Sequence, residues 1–248
     1  MTRTPPFQRY VALGDSISID EYPALDWQEI HNLARQEPGL GAASLLYRND
    51  DEAWPEFRAQ DLRTLCPGLE FDTLAEDGCR TAGVLDRQLP RLGGGDARPT
   101  LVTLTVGGND LLQLLGSGQP PERAHADDVV RRIEQILDRL GELLPHRTVL
   151  LGTVYDPSDG GSMIMGIPLG PAERAVLDRV NDGIRTLAKS REQVILADIH
   201  AHFHGHGVSA PTPERWYWRH MIIEPSARGA SEVRRLWLEA LAGRISTA

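Results

Sequence analysis

Two short polar motifs follow apolar runs in this sequence and carry side chains suited to acyl transfer. The string GDS at residues 14–16 follows the apolar run 10–13, and GGND at 107–110 follows the run 101–106. A serine hydroxyl exposed by a tight turn can attack an acyl carbonyl, and an asparagine amide can donate to the resulting oxyanion. Ser16 and Asn109 therefore indicate an acyl-transfer enzyme.

A third position, Gly78 in the pair Asp77-Gly78, follows another apolar run. A glycine at a strand end can bring its backbone N–H close to a substrate because it has no Cβ. Each position also has a structural explanation. Ser16 suits a helix N-cap, Asn109 suits a left-handed turn, and a plain turn is the simpler explanation for Gly78 taken alone.

The elements that must position these groups alternate between strand and helix patterns. The apolar runs predict strands at about 9–14, 69–75, 100–106, 147–154 and 194–198. Apolar residues at three- and four-residue spacing predict helices at 54–65, 81–89, 126–144, 171–188 and 226–241. Such alternation predicts an α/β fold, a three-layer αβα sandwich with a central parallel sheet of about five strands.

We expect a single domain over residues 1–248, because no linker or repeat divides the sequence. Two segments depart from the strand–helix rhythm. Residues 20–52 have no clear period and are predicted to form an irregular insertion, which is long for a βα connection. The turn-rich segment 155–170 is predicted either to form a wall or lid of a pocket or to be a surface loop without a ligand role.

The composition narrows the class of protein. A formal net charge of −9 without a concentrated basic face argues against nucleic-acid binding. No apolar signal core and no run of membrane-spanning length occur, so we expect a cytoplasmic protein with no membrane span. Cys66 and Cys79 match no metal motif and are interpreted as free thiols. The oligomeric state cannot be inferred from the sequence.

The ordered motifs resemble those of the SGNH branch of the GDSL hydrolases, across nearly the whole chain. That family is named for a serine, glycine, asparagine and histidine in four blocks. Ser16 matches the nucleophile, Gly78 the second block and Asn109 the third. The resemblance implies a flavodoxin-like fold and an oxyanion hole made by the Ser16 N–H, the Gly78 N–H and the Asn109 amide. The absence of a Gly-x-Ser-x-Gly motif argues against an ordinary α/β-hydrolase.

The fourth block departs from the family pattern, which is Asp-x-x-His-Pro followed by a glycine. Aligning the proline and glycine places Glu224 at the histidine position and Met221 at the aspartate position. His220 is one candidate base, and the suitable pKa of an imidazole favours it. Glu224 is another, and it would need burial to raise its pKa. In the third interpretation the protein keeps the fold but has lost efficient hydrolysis.

Histidines at positions 200, 202, 204 and 206 raise the question of a metal site. Alternate histidines on a strand share one face and could bind zinc. No carboxylate motif of known metal spacing accompanies them, so we predict no metal and no organic cofactor. His206 is a further candidate for the missing base.

These observations predict a serine hydrolase that cleaves small-molecule carboxylic esters or thioesters through an acyl-enzyme on Ser16. The expected catalytic residues are Ser16, Gly78 and Asn109, with His220 or Glu224 as the base. The alternative, based on the altered fourth block, is a catalytically impaired domain that binds an acylated or carbohydrate ligand.

Overall fold

The computed structural model describes residues 6–32 and 39–245. Within them the central sheet contains five parallel strands, and two short antiparallel hairpins lie outside it. In chain order, the strands are β1 (Arg9–Gly14), β2 (Glu70–Thr73), β3 (Thr100–Thr105), β4 (Arg147–Gly152), β5 (Met163–Ile164), β6 (Ile167–Pro168), β7 (Val194–Ala197), β8 (Tyr217–Trp218) and β9 (Met221–Pro225).

The helices of the described residues alternate with the strands of the central sheet, as the sequence pattern predicts. They are α1 (Glu21–His31), α2 (Ala42–Tyr47), α3 (Leu62–Leu65), α4 (Thr81–Gly83), α5 (Gly108–Ser117), α6 (Arg123–Leu143), α7 (Pro171–Lys189), α8 (Ile199–Phe203) and α9 (Ala227–Leu241). A π-helical turn, Val84–Gln88, continues α4. No helix in the described part of the chain is long and apolar enough to cross a membrane.

The strand order of the central sheet is β2-β1-β3-β4-β7, which is the flavodoxin-like order. The chain therefore reverses its direction of winding between β1 and β3. In sheets of this kind ligands bind beyond the carboxyl ends of the strands at that reversal. The motifs that contain Ser16 and Asn109 both lie there, because they follow β1 and β3 directly.

Apolar side chains cover both faces of the sheet and form two cores. In β1 the successive residues alternate, so that Val11 and Leu13 pack in one core and Tyr10 and Ala12 in the other. The first core includes the apolar stripes of α6 and α7, and the second includes α2 and α9. This arrangement confirms the predicted three-layer αβα sandwich with five parallel strands.

Two local predictions require correction. The described part of 20–52 contains the helices α1 and α2, while residues 33–38, with Pro38 among them, lie outside the described residues. The carboxyl group of Asp26 in α1 accepts a hydrogen bond from Ala227 N–H of α9 (3.0 Å), a tertiary contact that no local pattern reveals.

The predicted helix 54–65 is interrupted, because Ala59 has a φ of +59° between a 3₁₀ turn at Pro55–Phe57 and α3.

Gly14 ends β1 at a point of close backbone approach. Its φ is +115°, and a Cβ at this position would lie 1.8 Å from the carbonyl oxygen of Thr105 in β3. The next residue, Asp15, donates its N–H to the same oxygen (3.0 Å). Glycine is therefore required where β1 turns to deliver Ser16.

We predict that Gly14→Ala lowers the free energy of unfolding far more than does the substitution of alanine for another glycine with positive φ. Gly118→Ala is the matched control, because Gly118 has a φ of +68° and open space around its Cβ position. The control should lower the free energy of unfolding by about 1–2 kcal/mol. Gly14→Ala should cost roughly 2–3 kcal/mol more, because a collision is added to the strained backbone. Urea unfolding of both variants measures the difference, and equal costs would contradict the inferred close approach.

Candidate active site

Ser16 lies at the carboxyl end of β1 and begins a short 3₁₀ turn, Ser16–Ser18. The carboxyl group of Asp15 caps this turn by accepting the N–H of Ile17 (3.3 Å). Burial raises the pKa of Asp15 to about 7, although hydrogen bonding by the Thr105 hydroxyl lowers it. Asp15 is thus engaged in shaping the serine turn.

Asn109 lies in the first turn of α5, directly after β3. Its side-chain Nδ2 donates to the backbone carbonyl of Cys79 at 3.1 Å, which joins the loop after β3 to the loop after β2. An asparagine side chain has two N–H donors. The bond to Cys79 uses one of these donors and fixes the side chain at the edge of the pocket.

Gly78 lies in the turn after β2, between Asp77 and Cys79. Its φ is +63°, and the turn is closed by a hydrogen bond from Cys79 N–H to the Glu76 carbonyl (3.2 Å). Gly78 is exposed and is not among the described residues that line the pocket next to Ser16. The bond from Asn109 to Cys79 nevertheless holds the loop of Gly78 against the loop of Asn109.

Glu224 lies in β9, and its side chain lines the same pocket as Ser16 and Asn109. Only 6% of the residue is exposed, and its Oε2 has no hydrogen-bond partner among residues 6–32 and 39–245. Burial raises the pKa of Glu224 to about 8. Hydrogen bonding by the Ser16 hydroxyl lowers the pKa, and the charge of Asp15 raises it. Of the proposed bases, Glu224 is the one that the structure places beside Ser16.

Contacts on both sides of Glu224 hold it in position. The Tyr155 hydroxyl donates to the carbonyl of Ile223 (2.6 Å), and Ser226 N–H donates to the Trp216 carbonyl (2.9 Å). The Ser226 side chain then caps α9 by accepting the N–H of Gly229. The path from β9 into α9 is therefore fixed, and with it the carboxyl group that faces Ser16.

His220 lies away from the pocket. Its imidazole Nε2 is 2.9 Å from the carboxylate of Glu29, and 59% of the side chain is exposed. The lining of the pocket in the described chain includes Glu224 but not His220. His220 lies in the turn before β9, whereas Glu224 lies within that strand. The structure does not bring His220 together with the serine, contrary to the preference for an imidazole.

The histidines of 200–206 are held by other contacts. His202 pairs with Glu232 (3.2 Å), and His206 stacks on Trp216 with ring centroids 3.6 Å apart. In the described part of the chain no group of three or more His, Cys, Asp or Glu side chains is arranged to hold a metal ion. Cys66 and Cys79 are both buried and unpaired with each other.

Apolar side chains form most of the wall beside Ser16, around a cavity of about 110 Å³. Four leucines of α5 line it: Leu111, Leu112, Leu114 and Leu115. The segment 155–170 contributes Tyr155, Ile164 and Leu169, and α7 contributes Val176 and Leu177. The turn-rich segment 155–170 therefore forms part of the pocket wall. Such a cleft suits an apolar chain bound next to the serine hydroxyl.

Tyr22 of α1 is a neighbour of the site that the sequence did not indicate. Burial is the main cause that raises the pKa of its phenol. The negative charges of Glu224 and Asp77 and a hydrogen bond to Asp77 raise that pKa further. The sequence offered no motif for it, because α1 lies in the segment interpreted as an irregular insertion. The leucines of α5 did have a signal, since LLQLL directly follows Asp110.

Comparisons with known proteins identify the family and support the fold. The profile of the GDSL-like lipase/acylhydrolase family matches residues 12–230. No curated protein matches the chain. Solved structures that resemble it include phospholipase A1 from Streptomyces albidoflavus, with 22% identity, a TM-score of 0.58, and coverage of 96% of this chain and 99% of that one. A variant of an acetyl xylan esterase from Geobacillus stearothermophilus has 14% identity, a TM-score of 0.61 and 97% coverage of each chain.

We predict that Glu224 makes the stability of the protein fall as the pH rises. In the unfolded chain its carboxyl loses a proton near its ordinary pKa of 4.5, whereas in the folded protein the pKa is about 8. The folded state therefore binds more protons between these values, and stability is lost through that range. Glu224→Gln should match the wild type near pH 4. It should be more stable by a few kcal/mol near pH 8.5, because it carries no buried charge.

Urea unfolding of wild type and Glu224→Gln at the two pH values makes this measurement. Asp15 titrates in both proteins, so its contribution cancels except for its charge coupling to Glu224, which is part of the measured difference. Glu239→Gln is the control, since Glu239 is exposed on α9 and should change stability little at either pH. A constant difference between wild type and Glu224→Gln across the range would contradict the buried, proton-retaining carboxyl.

Proposed function

Because the chain belongs to the GDSL-like lipase/acylhydrolase family, we propose that it cleaves carboxylic esters or thioesters through an acyl-enzyme on Ser16. The observation that carries this proposal is the meeting of Ser16, Asn109 and the buried carboxyl of Glu224 in one apolar pocket. A nucleophile, a donor for the oxyanion and a proton acceptor are the groups that acyl transfer requires.

In the proposed reaction the Oγ of Ser16 attacks the acyl carbonyl while the ionised Glu224 takes the serine proton. The free N–H of the Asn109 amide, with the backbone N–H groups of Ser16 and Gly78, stabilises the oxyanion. Glu224 then gives the proton to the departing alcohol or thiol, which leaves the acyl group on Ser16. Water attacks this ester with Glu224 again accepting a proton. As the oxyanion collapses, Glu224 gives that proton to the departing Oγ, which releases the acid and restores Ser16 and the ionised Glu224.

The pKa of about 8 gives this mechanism a defined pH dependence. Glu224 can accept a proton only when it is ionised, so the rate should rise with pH and level off above pH 8. At pH 7 roughly one tenth of the molecules carry the ionised base, against about nine tenths at pH 9. Raising the pH from 7 to 9 should therefore increase kcat/KM, which reports ionisations of the free enzyme, by about tenfold.

The same property supports a second candidate function. At neutral pH most molecules hold Glu224 in its neutral form, which is a poor base but hydrogen-bonds well to a bound carbonyl or hydroxyl. In a domain that binds an acylated ligand without hydrolysing it, this neutral carboxyl would be the form that binds the ligand. Turnover at pH 9 distinguishes the two functions, since only the hydrolase should show it.

We predict the following for hydrolysis of p-nitrophenyl butanoate at pH 9. Ser16→Ala should abolish turnover, because the nucleophile is removed. Asn109→Ala should lower kcat by about 10²–10³-fold, the usual cost of one oxyanion donor. Glu224→Gln should lower kcat by about 10²–10⁴-fold and remove the rise of kcat/KM with pH.

His220→Ala is the matched control for the base, and it should keep kcat within about twofold. A large loss in His220→Ala with little change in Glu224→Gln would reverse the assignment of the base. Retention of turnover in Ser16→Ala would disprove the acyl-enzyme. Absence of turnover in the wild type at pH 9, with tight binding of a fatty acid, would favour the binding function.

We also predict that the apolar pocket selects longer acyl chains. Each added CH₂ that is buried contributes about 0.8 kcal/mol, so kcat/KM should rise by about fourfold per CH₂ from acetate until the pocket is full. Leu115→Asn makes the pocket wall polar. It should lower kcat/KM for p-nitrophenyl octanoate by roughly tenfold and change kcat/KM for p-nitrophenyl acetate little. Leu143→Asn, a half-buried position of α6 outside the pocket lining, should leave the chain-length profile unchanged. A flat profile in the wild type would contradict an acyl role for the pocket.

A further inference from the structure

The strand that carries Ser16 lacks a neighbouring strand on one side at its carboxyl end. β1 pairs with β3 through Gly14, but its pairing with β2 ends at Ala12. Beyond that point the N–H of Gly14 faces a gap in the ladder, whereas its carbonyl accepts the N–H of Glu76 from the segment after β2 (3.1 Å). A buried backbone N–H needs a partner, so something other than a strand must satisfy it.

The side chain of Gln88 fills this gap. Its Oε1 accepts the N–H of Gly14 at 2.8 Å, and its Nε2 donates to the carbonyl of Gly14, also at 2.8 Å. The amide thus pairs with both groups of one residue, as a neighbouring strand would. Gln88 is fully buried and closes the π-helical turn Val84–Gln88, a kind of turn that often occurs at functional sites.

The same amide also reaches the loop of the oxyanion donors. Its Nε2 lies 3.2 Å from the Sγ of Cys79, and the carbonyl of Cys79 accepts the Nδ2 hydrogen bond of Asn109. Gln88 therefore contacts the end of the nucleophile strand and the residue that follows Gly78. A shift of Gln88 would change the separation between Ser16 and both of these donor groups.

We propose that Gln88 is a positioning residue that sets Ser16 against its oxyanion donors; this rests on the proposed hydrolase function. Gln88 is separated from Ser16 by the backbone of Gly14 and acts through Gly14 and Cys79. Its contribution is geometric, since displacements of about 1 Å in an active site can cost about 10²-fold in rate.

A second side-chain amide in the fold provides a matched control. Asn181 of α7 accepts the N–H of Val154 and donates to its carbonyl, both at 2.8 Å, just beyond β4. Asn181 is 1% exposed and, like Gln88, satisfies both backbone groups of one residue at the edge of the sheet. No proposed catalytic group follows β4, but Val154 lines the pocket. Removal of the Asn181 amide should therefore cost stability and change KM more than kcat.

The test compares Gln88→Met with Asn181→Leu, each close in shape to the native side chain but without its amide. Both should lower Tm, because Gln88→Met removes the partner of the Gly14 N–H while the Gly14 carbonyl keeps the Glu76 N–H, and Asn181→Leu removes the side-chain partners of the Val154 N–H and C=O. For p-nitrophenyl butanoate at pH 9, Gln88→Met should lower kcat by about 10²-fold with KM changed less than about threefold. Asn181→Leu should keep kcat within about threefold. The pH midpoint of kcat/KM should remain that of the wild type in both, since Glu224 is untouched.

Unchanged kcat in Gln88→Met, or an equal loss of kcat in Asn181→Leu at equal Tm, would overturn the proposal. If Gln88→Met does not fold, Gln88→Glu replaces it, because the glutamate keeps an acceptor for the Gly14 N–H. Its kcat should fall at least tenfold, and an unchanged kcat would overturn the proposal.

Wild type and Ser16→Ala measured alongside separate this proposal from the proposed function. If wild-type turnover is absent or survives in Ser16→Ala, the proposed function fails. The positions of Ser16 and Asn109 in crystal structures of wild type and Gln88→Met then decide the positioning role. An unchanged separation of the two side chains would overturn it.

Discussion

The close approach of β1 and β3 at Gly14 is the constraint on which the site depends. A Cβ on Gly14 would collide with the Thr105 carbonyl, so only glycine allows the strands to remain paired up to the turn. Ser16 emerges at this point, and the chain that follows β3 returns with Asn109. The proposed nucleophile and a proposed oxyanion donor are thus brought to one pocket by backbone pairing. This explains how residues far apart in sequence can meet.

The carboxyl edge of the sheet is completed by side-chain amides where strands are missing. Gln88 pairs with the backbone of Gly14 beside β1, and Asn181 pairs with Val154 beyond β4. Such bonds are strong in a buried setting and costly to lose. They let the strands end at different heights while the backbone of the site stays satisfied. The first of these amides borders the reacting groups, and the second borders the apolar pocket.

The sheet and part of the site could be predicted from the sequence because both depend on local patterns. Apolar runs ending in glycine predicted β1 and β3, and these placed Ser16 and Asn109 at one edge of the sheet. The helix α1 could not be predicted, since its packing relies on the bond from Asp26 to the N-terminus of α9. Gln88 was equally hidden, because its role follows from where β2 ends. Choosing between His220 and Glu224 required knowledge of which residue of the fourth block faces inward.

The presence of Glu224 at the family's histidine position also bears on Met221, which stands at the position of the family's aspartate. A histidine base needs an acceptor for its second ring nitrogen to fix its tautomer and orientation, and the family pattern supplies an aspartate for this purpose. A carboxylate base has no tautomer of that kind, and either of its oxygens can accept a proton. With Glu224 at the histidine position, an aspartate at position 221 would have no imidazole to orient. Position 221 lies three residues before Glu224 in β9, so its side chain points to the opposite face of the strand, and Met221 is not among the described residues that line the pocket. With Glu224 as the proposed base, one change in the chemistry of that base accounts for both departures from the family pattern.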